Sequence, residues 1–350
     1  MNMTENRKKH GNVAIFVPHS GCPNMCSFCN QRTISGQSVQ PDADFVRKTC
    51  EEAIERMTVE PQNAQIAFFG GSFTAIDRNL MISLLQAASE YVETGRFAGI
   101  RISTRPDCIN EEILEILKQY HVTDIELGAQ SMDDRVLQMN RRGHTAEDVE
   151  RASLLIRQRG FSLGLQMMVG LYGENPKDIP LWLPEKSLSE RTMKTAEKIA
   201  ALQPSCVRIY PIAVLKGTEL ERMLVSGMYF PPDVSEAVAC CANLIEFFEK
   251  KKIKILRVGL HASETVEEDV IAGAYHPAFR ELCDNELYFR RILRIVSSNA
   301  DRIENIYVNP GFLSKAVGQK RGNLAKLKKL GYDVRISARE GVAPGDLEID

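Results

Sequence analysis

The 350-residue chain lacks the marks of several protein classes. It has a single tryptophan and no apolar run approaching the roughly 18 residues that a membrane span needs. The start MNMTENRKKHG is polar and basic, without the apolar core of a signal peptide behind it, so a soluble, cytoplasmic protein is expected. Nor does one sign of charge dominate: 44 Lys+Arg against 46 Asp+Glu leave a net charge of -2, which excludes a chain that is basic along its whole length. With 44% hydrophobic and 26% charged residues the composition is neither disordered nor collagen-like. The nine cysteines are odd in number and come without an export signal, which argues against a disulfide framework and for metal or catalytic use.

Apolar runs rich in β-formers recur at 12–18, 64–70, 98–104, 122–128, 161–170 and 205–211, separated by stretches with helical spacing such as DADFVRKTCEEAIERM and AEDVERASLLIRQRG. This alternation predicts an α/β fold with a parallel sheet curled into a partial or full TIM-type β/α barrel, of which the partial (β/α)6 form is the expectation adopted. Residues 233–251 read as one long helix leading into a strand at KILRVGL. The last stretch starts afresh, with RIENIYVNP as a strand, GFLSKAV and LAKLKKLG as helices around the turn GQKRGN, and YDVRISA as a second strand. The expected organisation is a tail over 1–11, the barrel and its extension over 12–280, and a small α+β domain over 281–350.

Cysteine spacing carries the chemistry. Cys50, Cys108, Cys206, Cys240, Cys241 and Cys283 are scattered and read as buried apolar thiols. By contrast, HSGCPNMCSFCNQ holds Cys22, Cys26 and Cys29 in a C-x3-C-x2-C array directly after the first strand, where barrel loops carry functional groups. Three thiolates at this spacing can hold three irons of a cubane cluster and leave the fourth iron open to a ligand. The competing reading is a zinc site, completed by His19 or Cys50.

The cysteine motif and the barrel together resemble the radical S-adenosylmethionine (SAM) superfamily, over about residues 12–280. That resemblance implies a [4Fe-4S] cluster on Cys22, Cys26 and Cys29 whose open iron chelates the methionine part of SAM, and reductive cleavage to a 5'-deoxyadenosyl radical. It also implies a low-potential electron donor of flavodoxin or ferredoxin type. Phe28 matches the aromatic that flanks the adenine. Gly70 and Gly71 in FFGGSFT match the motif that receives the SAM amino group, with Ser72 where the family often has an acid. Thr104 stays polar in STRPD, although Ser103 replaces a carboxylate of some relatives. Gln130 in GAQS stands where relatives contact the ribose, Arg141 in MNRRGHT is the candidate carboxylate clamp with Arg142 as its rival, and Gln166 stands where related enzymes often have an acid.

The motifs are shared with the coproporphyrinogen oxidase branch and with the radical SAM half of Elongator's catalytic subunit. CSFCNQRTISG, ELGAQSMDDRVL, and RIYPIAVLKGTEL with its Tyr210-Pro211 step are similar to the second. Elongator adds an acetyltransferase domain that uses acetyl-CoA to modify tRNA. Nothing in these residues resembles that domain, so its chemistry is not carried over.

Between residues 314 and 339 eight Lys and Arg face the single acid Asp333, a local excess of seven positive charges. The segment resembles a KH domain, in which a glycine loop between two helices clamps a nucleotide backbone. The usual G-x-x-G is displaced here, with Gly318 first and Gly322 one place late, while Lys320 and Arg321 add charge that favours phosphate. The expectation is a radical SAM enzyme acting on RNA, most simply tRNA. The alternatives are a small-molecule substrate such as a porphyrin, or an RNA-binding iron-sulfur sensor without turnover.

Overall fold

The computed structural model describes residues 11–18, 25–30, 33–34, 36, 39–174, 178, 187–298 and 303–350. Cys22 and His19, and the expected tail up to residue 10, lie outside the described residues.

Strands β1 (Gly11–Val17), β2 (Ala64–Gly70), β3 (Gly99–Thr104), β4 (Val122–Gln130), β5 (Ser162–Val169) and β6 (Cys206–Pro211) are joined in sequence order, every neighbouring pair parallel. Beyond them β7 (Ala213–Leu215) leaves the sheet, and β8 (Lys254–Val258) returns to pair in parallel with β6. The result is a seven-stranded half-barrel, one strand wider than the (β/α)6 expectation. The helix Val234–Lys250 supplies the additional crossover, which is why the run at KILRVGL joins the sheet. Strand β9 (Val270–Gly273) pairs antiparallel with β7, in a stretch that the sequence leaves without regular structure.

Strands covered on both faces read as continuous apolar runs, and the first five residues of β2 are all buried. The crossover helices start where side chains satisfy otherwise unpaired amides. Asp42, Asp77 and Asn110 accept from Phe45, Leu80 and Ile113 N–H, and Thr145, Ser187 and Asp233 close capping boxes with Asp148, Glu190 and Glu236. Their apolar faces, Met81, Leu84 and Leu85 among them, fill one core against the sheet. Five of the six scattered cysteines are buried and Cys108 is half-buried. Burial pushes Cys50 and Cys240 up to about 12 and Cys206 to about 11, so all three are protonated packing groups at neutral pH.

The helix Phe279–Ser298 runs through residue 281 without a break. Its first half (Phe279, Cys283, Leu287) packs in the main core, and its second half (Tyr288, Ile292, Val296) founds a separate core with Ile306, Val308, Leu327 and Ile336. There β10 (Asn305–Val308) lies between parallel β11 (Arg335–Ala338) and antiparallel β12 (Leu347–Ile349), with the helices Leu313–Val317 and Gly322–Lys329 between β10 and β11. The expected β-α-turn-α-β order is present, and β12 is added to it. Among the described residues no helix is long and apolar enough to cross a membrane.

Candidate functional site

A cavity of about 410 Å3 opens at the C-terminal ends of the strands, the face on which barrel loops carry function. Its wall gathers Phe28 and Cys29 from the loop after β1, Gly70 from the tip of β2, Gln130 from β4 and Gln166 from β5. Residues more than a hundred positions apart thus face one space, and a pocket of this size suits a small molecule.

The cysteine loop is held from several sides. Cys29 N–H donates to the Cys26 carbonyl (3.2 Å), Ser27 binds Asn140 through both backbone and hydroxyl, and Leu220 N–H donates to the Ser27 carbonyl (2.9 Å). Arg142 donates from Nη1 to Cys26 Sγ (3.0 Å) and from Nη2 to the Gly128 carbonyl (2.7 Å), with its guanidinium carbon 5.9 Å from the Phe28 ring centroid. A Cβ on Gly128 would stand 3.3 Å from Arg142 Nη2, so glycine there leaves the guanidinium its space. Arg141 turns away: with φ 52 its side chain leaves the cavity and pairs with Glu219. Of the two arginines, the structure brings Arg142 to the cysteine loop, because the left-handed backbone at Arg141 reverses the direction between neighbours.

Gln130 sits at an irregularity between β4 and β5, with φ 65, and its buried Oε1 has no hydrogen-bond partner among the described residues. An unpaired buried acceptor costs about 1–3 kcal/mol, and its position on the cavity wall makes it a group awaiting a donor. Gly70, with φ 108, meets the need for glycine within the chain, since a Cβ would lie 2.7 Å from the Val17 carbonyl oxygen. Gly71 N–H donates to that same carbonyl (2.8 Å). Ser72 and Thr104 do not line the cavity. Their hydroxyls lie 2.8 Å apart, with Thr74 Oγ1 2.6 Å from Thr104 Oγ1, and they tie the tips of β2 and β3 together behind the wall.

A set of residues that the sequence reading missed lies beside Gln166. Glu126, 1% exposed, accepts from Arg101 Nη1 (3.0 Å), from Arg208 Nε (2.6 Å) and Nη2 (3.0 Å), and from Gln166 Nε2 (3.0 Å). Arg101 also binds Asp124 (2.7 Å). Burial works against the charge of Arg208, but its hydrogen bonds to Glu126 hold its pKa above the ordinary arginine value. The signal was available in sequence as charged residues inside otherwise apolar strands, one each in IRIS and VRIY and two in DIEL.

These residues fit the cofactors that the sequence resemblance implies. Two cysteines lie on one tight turn, a buried guanidinium faces one of the sulfurs, and an unpaired acceptor waits on the cavity wall. Cys50 instead packs in the main core, and among the described residues no three His, Cys, Asp or Glu side chains converge as a metal site, so the zinc alternative gains no ligand from Cys50.

In the C-terminal module Gly318 (φ 80) ends the first helix, and Lys320 and Arg321 both adopt left-handed backbone with exposed side chains. A Cβ on Gly318 would lie 2.8 Å from Asn323 Cγ. The Asn323 amide donates to the Asn285, Lys315 and Ala316 carbonyls (2.9, 3.3 and 3.0 Å) and locks the turn to the long helix. The close approach at Gly318 is therefore made within the chain.

Residues 16–182 match the family model of the radical SAM superfamily, and residues 204–288 match that of the radical SAM C-terminal domain. An uncharacterised protein of Methanocaldococcus jannaschii is 28% identical over 243 residues, 68% of this chain and 67% of that protein. A tRNA uridine(34) acetyltransferase of Methanocaldococcus infernus is 31% identical over 263 residues, 65% of this chain and 47% of that protein. The chain spans about half the length of the acetyltransferases it matches. In fold, it resembles an N-terminally truncated Elp3 from Methanocaldococcus infernus, with a TM-score of 0.61 at 20% identity over 87% of this chain and 67% of that one. Half-barrel, cysteine loop and both family models agree: the chain belongs to the radical SAM superfamily of enzymes.

Proposed function

We propose that this chain binds a [4Fe-4S] cluster and SAM at the cavity mouth and acts on RNA, with tRNA as the substrate class. The observation that carries the reading is the convergence of Phe28, Cys29, Gly70, Gln130 and Gln166 on one cavity beside the Arg142–Cys26 contact. When bound, the cluster and SAM supply one-electron cleavage to a 5'-deoxyadenosyl radical able to take a hydrogen atom from substrate. The chain's own residues bind, orient and shield. Cys22, Cys26 and Cys29 would hold the irons, with Arg142 offsetting negative charge at the Cys26 sulfur. Gly70 and Gly71 would offer backbone to the methionine part, Gln130 Oε1 would accept from a donor of SAM, and Gln166 would stay fixed by Glu126. The apolar surface of Phe28, Met168 and Ile212 excludes water, the protein's share in protecting a radical.

RNA is supported by the excess of seven positive charges over 314–339, by the exposure of Lys320 and Arg321, and by the tRNA-modifying relatives. A flavodoxin- or ferredoxin-type protein would supply the electron. The test is anaerobic: reconstituted protein, chemically reduced, should form 5'-deoxyadenosine from SAM, and unmodified tRNA should accelerate it. SAM cleavage indifferent to tRNA but accelerated by a porphyrin would replace RNA with a small-molecule substrate.

A further inference from the structure

The cavity wall offers little hydrogen that a carbon radical can take and solvent can replace. Among its described residues, Cys29, Ser103 and Tyr210 are the ones that carry an S–H or O–H. Cys29 is committed to iron in the reading above. The O–H bond of an aliphatic alcohol such as Ser103 is no weaker than the C–H bonds around it. A phenol O–H bond is much weaker than an aliphatic C–H bond, so the Tyr210 hydrogen can pass to a carbon radical downhill.

The strand and the charges behind it place Tyr210 for such a transfer. Arg208 and Tyr210 stand two apart on β6 and point to the same face of the sheet. Both Glu126 oxygens grip Arg208 (2.6 and 3.0 Å), and Glu126 is itself held by Arg101 and Gln166. The same guanidinium reaches the Tyr210 hydroxyl, its one hydrogen-bonding partner among the described residues. A guanidinium has no acceptor to offer, so the phenol oxygen accepts from Arg208 and its own hydrogen stays free for the cavity. Burial outweighs the adjoining positive charge and holds the phenol above its ordinary pKa, so the oxygen keeps its proton. Losing an electron alone would leave a cationic ring beside Arg208 and Arg257, whereas losing a whole hydrogen atom changes no charge. The Tyr210 ring packs on the same small core of Met168, Ile212 and Leu220 as Phe28, the neighbour of Cys29, and so shares a wall with the cysteine loop.

We propose that Tyr210 is the hydrogen-atom donor to carbon radicals formed in this cavity. The proposal rests on the radical chemistry of the reading above and is independent of its RNA part. In the step, the phenolic O–H bond breaks homolytically, a C–H bond forms at the radical carbon, and a phenoxyl radical remains on Tyr210. An electron from the low-potential donor and a proton from solvent restore the phenol. Arg208 is a positioning residue, which holds the oxygen and turns the hydrogen toward the cavity.

The experiment runs SAM cleavage by the reconstituted full chain in heavy water, without substrate and with titanium(III) citrate as a thiol-free reductant. Mass spectrometry reads the deuterium content of the 5'-deoxyadenosine formed, a ratio that does not depend on the rate. In the wild type most of the product should carry deuterium drawn from the exchanged phenol. Tyr210→Phe keeps the ring and its packing, and the product it forms should lose that deuterium. Tyr172→Phe, on the same small core but outside the cavity wall, should keep it. Wild-type product free of deuterium, or undiminished deuterium in Tyr210→Phe, overturns the proposal and leaves the radical reading standing. If Tyr210→Phe yields no 5'-deoxyadenosine, the decision passes to electron paramagnetic resonance of wild type frozen during turnover. A radical signal that narrows when the protein is made with ring-deuterated tyrosine supports the proposal, and the absence of such a signal overturns it. Wild type that forms no 5'-deoxyadenosine removes the radical reading and the proposal with it.

Discussion

His144 offers a quantitative test of how the wall behind the cysteine loop is built. It is 4% exposed, its Nε2 lies 3.2 Å from the Ala129 carbonyl, and its buried Nδ1 has no partner among the described residues. Burial, reinforced by the neighbouring Arg142 charge, depresses its pKa from 6.5 to about 4. The unfolded chain therefore takes up this proton first as pH falls, so the stability attached to the neutral ring is complete above about 6.5 and is lost as pH drops toward 4. At about 1.4 kcal/mol per pH unit the gap amounts to about 3 kcal/mol. The perturbation is His144→Gln, whose amide can still donate to Ala129 but cannot titrate. Denaturant unfolding of both proteins between pH 7 and pH 4 isolates the effect, because all other titrations are common to the pair. The wild type should lose about 3 kcal/mol more than the variant over that range. Parallel profiles would refute the reasoning and mean that the ring is protonated, or solvated, in the folded protein.

Three further outcomes follow from the same geometry. Gly70→Ala should destabilise the chain by more than about 1 kcal/mol, read as a lower thermal midpoint, because the new Cβ meets Val17 in a left-handed backbone. Asn323→Ala should cost about 2 kcal/mol and make the C-terminal module exchange its amide hydrogens first, since three carbonyls lose their donor. Changing Lys320 and Arg321 together to Ala should flatten the dependence of log RNA affinity on log salt by about two units, and an unchanged slope would take the loop out of the RNA interface.

The strands, the crossover helices and the cysteine loop were legible because each rests on local pattern: apolar runs, capping residues and three cysteines within eight positions. What escaped depends on register or on backbone turns. Arg101 stands beside Asp124, and Gln166 beside Arg208, only once β3, β4, β5 and β6 are aligned, so their network could not be assembled from the strands read singly. The choice between Arg141 and Arg142 turns on one left-handed residue, and arginine gives no sign of that conformation. Lys320 and Arg321 behave likewise, at positions where glycine or asparagine would be the readable signal. Gly70 and Gly318 were singled out for close approach to a ligand, whereas the contacts seen to require glycine there are with Val17 and Asn323. The seventh strand was foreseen as a strand and not as a member of the sheet, because its crossover differs in length and spacing from the earlier ones.

The most direct measurement is electron paramagnetic resonance of the anaerobically reconstituted, reduced protein, with and without SAM, beside Cys26→Ala and Cys240→Ala variants. The account predicts a [4Fe-4S] signal in the wild type that changes when SAM is added, its loss in Cys26→Ala, and its persistence in Cys240→Ala, whose sulfur is buried in the core. A centre that survives Cys26→Ala, that ignores SAM, or that proves to be tightly bound zinc without iron would contradict it.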